Sequence, residues 1–141
     1  MYDKILVTLD TTPSDRAIIE HIKQLAALLH SQVVLLHVAD GWAAQRFGAD
    51  AVSPEVTQDQ NYLERVQREF VAAGIPCTAE LAFGIAAEEI IRWVEEHGCD
   101  LLAMSTHGHK FFADLVLGET AMAVQHHLSV PVLMLRAVTG A

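Results

Sequence analysis

Lys4-Ile5-Leu6-Val7-Thr8-Leu9-Asp10-Thr11-Thr12-Pro13-Ser14-Asp15 runs from an apolar, partly β-branched stretch into a cluster of turn and capping residues. The period of the sequence then changes. Ile18, Ile22, Leu25 and Leu29 recur at steps of four, three and four, the spacing that lines up side chains on one stripe of an α-helix. The Thr12-Pro13-Ser14-Asp15 segment supplies cap and first-turn residues for that helix. A second short apolar run, residues 32–38, follows at once. Strand, helix and strand in this order make a βαβ unit, which demands a parallel sheet and a right-handed crossover.

The same alternation continues outward. Strand-like runs at residues 4–9, 32–38, 77–83, 101–104 and 131–135 are short and rich in β-branched residues, and four of them lack clean polar alternation. That is the pattern of strands covered on both faces. Between them, residues 54–73 carry a stripe of Tyr62, Val66 and Phe70, ended by Gly74-Ile75-Pro76. Residues 86–96 carry Ala87, Ile90, Ile91 and Val94 and stop at His97-Gly98. A fourth helix after Gly118 turns Ala121, Val124 and Leu128 inward. The expected fold is α/β: a single domain over residues 1–141, with a doubly wound, five-stranded parallel sheet and helices on both faces. Two long connections, 39–53 and 105–118, fit no regular element; loops of that length in a compact domain are usually functional or mobile.

Composition limits the function. With 9 Lys+Arg against 18 Asp+Glu the formal charge is −9, so the chain offers no overall field for DNA or RNA. The excess is local: residues 55–100 hold 3 bases and 10 acids, whereas residues 101–141 hold 2 and 2 together with four of the eight His. A small anion therefore meets no general barrier in the last segment. No apolar run approaches the roughly 20 residues of a membrane span, and no signal-like apolar region precedes residue 5. A cytoplasmic location without membrane insertion is expected. Cys77 and Cys99 read as buried thiols rather than as a staple or metal pair.

In open parallel sheets, ligands bind beyond the carboxyl ends of the strands where strand order reverses. Asp10 closes the first strand, Val38-Ala39-Asp40 the second and Met104-Ser105 the fourth. An Asp at the first strand end can accept hydrogen bonds from ribose hydroxyls; the same residue can equally serve as a helix N-cap or Asx-turn residue. After the fourth strand, two glycines, Gly108 and Gly118, let backbone approach a ligand closely, and the helix start beyond attracts anions. His109 and Lys110 add positive potential there. The spacing is neither a P-loop nor a dinucleotide fingerprint.

Taken together, Ile5-Leu6-Val7-Thr8-Leu9-Asp10, Leu36-His37-Val38, Gly84-Ile85-Ala86-Ala87-Glu88-Glu89-Ile90, Cys99 to Gly108 and Val130-Pro131-Val132-Leu133-Met134-Leu135-Arg136 resemble the universal stress protein family over essentially the whole chain. The resemblance implies a Rossmann-like fold of the adenine nucleotide alpha hydrolase type. It further implies an ATP- or AMP-binding stress-response sensor or adaptor, with Mg²⁺ as an accompanying ion. On this reading Asp10, next to Thr8, holds the ribose, and the backbone around Val38 meets adenine. Met104 and Ser105 line the crevice, and Gly108, His109, Gly118 and Thr120 lie against the phosphates. An apolar final strand at 131–135 implies a homodimer paired edge to edge, with a protein partner of unknown identity.

The family motif is G-x2-G-x9-G-[ST], and the spacing here is Ser105-x2-Gly108-x9-Gly118-Glu119. Length and register match, but Ser105 replaces the first Gly and Glu119 the terminal Ser or Thr; Ala86 stands where Pro is usual. Glu119 is the serious departure. A carboxylate in a first helical turn is favourable by roughly 0.3–1 kcal/mol, so self-capping accounts for it. The same charge would repel a terminal phosphate unless it shares a cation with it or turns to solvent. A nucleotide-independent protein with a closed phosphate site is therefore the alternative, and weak ATP hydrolysis a third.

No catalytic set is evident, since Ser105, Thr106 and His107 are only sequence neighbours. His107 and His109 read more simply as loop residues than as a metal pair, and His126-His127 as residues favoured near a helix C-terminus. Trp42 and Phe47 suit a pocket mouth, and Phe111-Phe112 suit loop packing. Glu88-Glu89 and Glu95-Glu96 read as solvated faces.

Overall fold

The computed structural model describes residues 1–39, 54–106, 120 and 122–136. Its elements are β1 (Lys4–Thr8), α1 (Asp15–Leu29), β2 (Gln32–Ala39), α2 (Pro54–Ala72), β3 (Cys77–Phe83), α3 (Ala86–His97), β4 (Leu101–Thr106) and β5 (Val132–Arg136). Residues 120 and 122–127 are also helical. The strands form one all-parallel sheet in the order β3-β2-β1-β4-β5. The chain lays down β1, β2 and β3 in one direction, then returns to the other side of β1 for β4 and β5. Strand order thus reverses between β1 and β4, as a doubly wound sheet requires.

Successive strand residues feed two cores. Ile5, Val7, Leu9, Leu35, Leu101 and Ala103 pack with α1 and α2 on one face, and Leu6, Leu36, Leu102 and Met104 pack with α3 and Val124 on the other. Burial on both faces explains why the central strands carry no polar alternation. The edge strands differ: β5 leaves Val132 to Leu135 only partly covered. Pro131 contributes its carbonyl to the Leu102 amide but, lacking an N–H, does not open the strand, which starts one residue later than expected. β4 runs two residues further than the sequence suggested, because Ser105 and Thr106 stay in register with Leu135 and Arg136.

The helical stripes are shifted in detail. In α1 the buried side chains are Asp15, Ile18, Ile19, Ile22 and Ala26, while Leu25 and Leu29 are half-buried. In α2 Leu63, Val66 and Phe70 are buried, and Tyr62 sits at the margin. In α3 Trp93 joins Ile90 and Val94, with Ala87 and Ile91 at the margin. Val124 is fully buried and Leu128 packs against the same core; Ala121 lies outside the described residues.

Two further expectations are refined. Cys77 is buried at the start of β3, and burial pushes its thiol up to about 12, but Cys99 is only half-buried because it precedes β4. Glu88, Glu95 and Glu96 are exposed, whereas Glu89 is covered by Gly84 packing and paired with Arg92 at 3.1 Å. No described helix is long and apolar enough to cross a membrane.

At the amino ends of the strands, Asp100 accepts the amides of Asp3 (2.7 Å) and Lys4 (2.9 Å), while its own amide meets the Lys4 carbonyl (3.0 Å). This joins β1 and β4 at the end opposite the candidate site. The reversal is thereby fixed below, and its upper end is free to be shaped by other groups.

Candidate functional site

The carboxyl ends of β1 and β4 lie side by side, with α1 on one face and α3 on the other. Pairing of β1 with β2 continues past the strand, since the Leu9 amide donates to Leu36 O at 2.9 Å. Thr8 is half-buried, Leu9 is buried and Asp10 is half-buried beyond it. The chain then turns through Thr11 at φ 62°, a left-handed conformation disfavoured for a β-branched residue. Such strain costs on the order of 1–3 kcal/mol and persists only where surrounding groups impose it.

Those groups are identifiable. Asp15, fully buried at the start of α1, accepts the Asp10 amide on Oδ1 at 2.9 Å and the Thr11 amide on Oδ2 at 2.8 Å. The Tyr62 hydroxyl of α2 donates to the same Oδ2 at 2.8 Å. Burial first, and then this bond to Asp15, hold the Tyr62 phenol well above its ordinary range. On the other side, His37 Nδ1 donates to the Leu9 carbonyl at 2.7 Å, and His37 Nε2 lies 3.4 Å from Asp59 Oδ2. Asp59 and Tyr62 are three residues apart on α2, so they share one helix face.

The N-cap reading of Asp10 does not hold. Ser14 occupies the N-cap position, makes no side-chain capping bond, and pairs its hydroxyl with Thr12 at 2.6 Å. The first backbone bonds there run from Asp15 N to Thr12 O and from Arg16 N to Pro13 O. Asp15, expected among the cap and first-turn residues, is the first residue of α1 and is turned inward.

Around the remaining predicted positions, Val38 and Met104 are buried on the α3 face, and Ser105 is half-buried. Strand alternation puts Ser105 on the opposite face to Met104. Its Oγ is buried without a hydrogen-bond partner among the described residues. Gly84 N donates to the Ala39 carbonyl at 3.1 Å, tying the exit of β3 to that of β2. Gly84 adopts φ 139°, a conformation that favours glycine, and an added Cβ would lie 3.3 Å from Glu89 Cγ, a tight contact to which that side chain would have to yield. Thr120 is helical and half-buried. Gly108, His109, Gly118 and Glu119 lie outside the described residues, as do His107, Trp42, Phe47 and Phe111-Phe112.

The sequence reading therefore brought together Thr8, Asp10, Met104 and Ser105 at one reversal, and it missed Asp15, Tyr62, His37 and Asp59. A signal for Asp15 was present. It continues the buried stripe of α1 backward, at i with Ile18, Ile19, Ile22 and Ala26 at i+3, i+4, i+7 and i+11, and an acid on an apolar stripe must find donors inside. Nothing in local periodicity identifies Tyr62 as one of them.

Comparison with known proteins follows the same outline. A family model described as the universal stress protein family matches residues 1–136. A universal stress protein A homolog 2 from Coxiella burnetii is 30% identical over 142 residues, covering 96% of this chain and 95% of that protein. The solved structure of hypothetical protein MJ0577 superposes with a TM-score of 0.81 at 26% identity, covering 99% of each chain. A universal stress protein solved in complex with cAMP has the same fold, with a TM-score of 0.74 at 17% identity over 97% of this chain and 98% of that one.

Proposed function

The chain belongs to the universal stress protein family, and on that premise we propose that it is an adenine-nucleotide-binding stress-response sensor or regulatory adaptor, taking ATP or AMP. The observation that carries this reading is the placement of Asp10 at the exit of β1, beside the exit of β4. From the end of β4 runs the Ser105-x2-Gly108-x9-Gly118 spacing. A carboxylate at that reversal accepts the hydroxyls of a ribose, and the backbone amides of a glycine-punctuated loop and helix start receive phosphate oxygens. The cAMP complex of a protein of the same fold is in keeping with such a ligand.

In this proposal Asp10 and the neighbouring Thr8 bind the ribose, backbone near Val38 meets the base, and Met104 and Ser105 form the floor. Gly108, His109, Gly118 and Thr120 face the phosphates. Mg²⁺ would neutralise phosphate charge against Glu119. Output is a change of surface read by a protein partner, not a released product. The single domain acts in the cytoplasm as a homodimer, using the half-covered apolar edge of β5.

Glu119 supports a second reading, in which the phosphate site is closed and the protein works without nucleotide. Calorimetry with ATP and AMP, with and without Mg²⁺, separates the two. The proposal expects binding by the wild type, weaker binding on Asp10→Ala, and tighter ATP binding on Glu119→Ser. Absence of binding by both the wild type and Glu119→Ser refutes it.

A further inference from the structure

Two consecutive peptide groups at the exit of β1, Leu9–Asp10 and Asp10–Thr11, are held by side chains. The Leu9 carbonyl takes His37 Nδ1–H, and the Asp10 and Thr11 amides both go to the Asp15 carboxylate. Each of these holders is in turn engaged by α2: His37 by Asp59 at 3.4 Å, and Asp15 by Tyr62 at 2.8 Å. The Asp10 main chain is therefore gripped on both sides by one face of α2, through contacts that span 47 residues of sequence in the case of Tyr62 and Asp15.

We infer that Asp15 and Tyr62 are positioning residues for a ligand held by Asp10, and that through them occupancy of the β1–β4 reversal is coupled to α2. The inference rests on the proposed nucleotide reading and adds to it a route from the ribose to a helix that supplies none of the residues assigned to the ligand. Its physical basis is the shape of the acceptor. The Asp15 carboxylate takes the Asp10 amide on both oxygens, Oδ1 at 2.9 Å and Oδ2 at 3.1 Å, and Oδ2 also takes the Thr11 N–H and the tyrosine hydroxyl. Removing the hydroxyl takes away the α2 donor that balances the two amides on Oδ2 of a fully buried carboxylate, so the carboxylate rotates toward the amides and the turn shifts with it. A shift of the Asp10 Cα moves the ribose acceptor, while the core beneath it, built from Leu9, Ile18 and Ile19, is untouched. Asp15→Asn is the more severe change, since an amide NH₂ would face a backbone N–H.

The test is a double-mutant cycle read by calorimetry with AMP, using the full chain. Tyr62→Phe is expected to weaken AMP by about 3–10-fold in the wild-type background and by less than about 1.5-fold in an Asp10→Ala background, because its effect passes through Asp10. Asp15→Asn should follow the same pattern with a larger loss. In hydrogen exchange, AMP should slow amides of α2 in the wild type and not in Tyr62→Phe. Equal losses in both backgrounds would mean a general structural effect and overturn the inference, as would no loss from Tyr62→Phe where Asp10→Ala does weaken AMP; in the latter case the proposed function stands. If wild type and Asp10→Ala bind AMP alike, Asp10 does not hold the ligand and the coupling falls while nucleotide binding stands; if neither the wild type nor Glu119→Ser binds, the proposed function fails and the coupling with it.

Discussion

Glu69→Gln tests the exposed counterpart of the α1–α2 grip. Glu69 on α2 meets Arg16 of α1 through two bonds, Nη1 to Oε1 at 2.7 Å and Nη2 to Oε2 at 2.9 Å, and Lys23 approaches the same Oε1 at 3.4 Å. The bidentate geometry with Arg16 holds the Glu69 carboxyl down from the ordinary 4.5 to about 2. At about 1.36 kcal/mol per pH unit this corresponds to a ceiling of roughly 3 kcal/mol. Solvent reduces it: Arg16 is 51% and Glu69 29% exposed, so the expected loss on substitution is about 1 kcal/mol at pH 7. The folded state holds this carboxyl below its unfolded value, so the stabilisation is complete above about pH 4.5 and fades as pH falls toward 2. By pH 3 less than about half of it should remain. Urea unfolding of wild type and Glu69→Gln at pH 7 and pH 3, in low and high salt, measures the difference directly. A gap between the two proteins that is the same at both pH values, or unchanged at about 1 M salt, would refute the ion-pair reasoning.

Two further outcomes follow from the geometry. Gly84→Ala should lower stability by about 1–3 kcal/mol, because residue 84 sits at φ 139° with Glu89 Cγ 3.3 Å from the new Cβ; thermal melts should show only partial rescue by Glu89→Ala, since the backbone strain stays. Cys77, buried and held up to about 12, should resist a disulfide reagent at pH 8 in the folded protein and react once denaturant exposes it, and prompt reaction without denaturant would contradict its burial.

The sheet was legible because its evidence is local. Runs such as Ile5-Leu6-Val7 and Leu101-Leu102-Ala103 are apolar on every residue, which only a strand buried on both faces explains, and the helical periods between them fix the alternation. Asp10 and Ser105 were placed near strand exits for the same reason, although β1 ends at Thr8 and β4 runs on through Ser105 to Thr106. The details that escaped are tertiary. Trp93 lies off the Ala87-Ile91 stripe and is buried because its ring stacks on His97 at 4.6 Å and lies under Lys4 Nζ at 5.3 Å, a partner from β1. Tyr62 was assigned to the core by its spacing with Val66 and Phe70, and the spacing is right, but only the neighbouring α1 reveals that its hydroxyl has a carboxylate to serve. Leu25 and Leu29 gave way to Ile19 and Ala26 because the covered face of α1 is centred on the row Asp15, Ile19, Ile22 and Ala26, spaced at four, three and four.

The candidate site divides into two parts with different origins. On the proposed reading the ribose side is built by tertiary bonds: a buried carboxylate, a tyrosine and a histidine fix Leu9, Asp10 and Thr11, and the strain at Thr11 is held in place by them. Such preorganisation lowers the cost of ordering on binding. The phosphate side is carried instead by sequence spacing, and the departure Glu119 falls on it, whereas Ser105 falls beside the ribose. Coulomb attraction or repulsion between unit charges about 4 Å apart is on the order of 4 kcal/mol at an effective dielectric near 20, so a carboxylate beside a terminal phosphate outweighs several neutral hydrogen bonds. On the proposed reading, this makes recognition of the nucleoside end common to AMP and ATP, and leaves discrimination between them to Glu119 and the Mg²⁺ it could share. AMP therefore reports on Asp10 and its supports with little contribution from Glu119, which is why the coupling of Tyr62 to Asp10 is best measured with AMP and the charge at Glu119 with ATP.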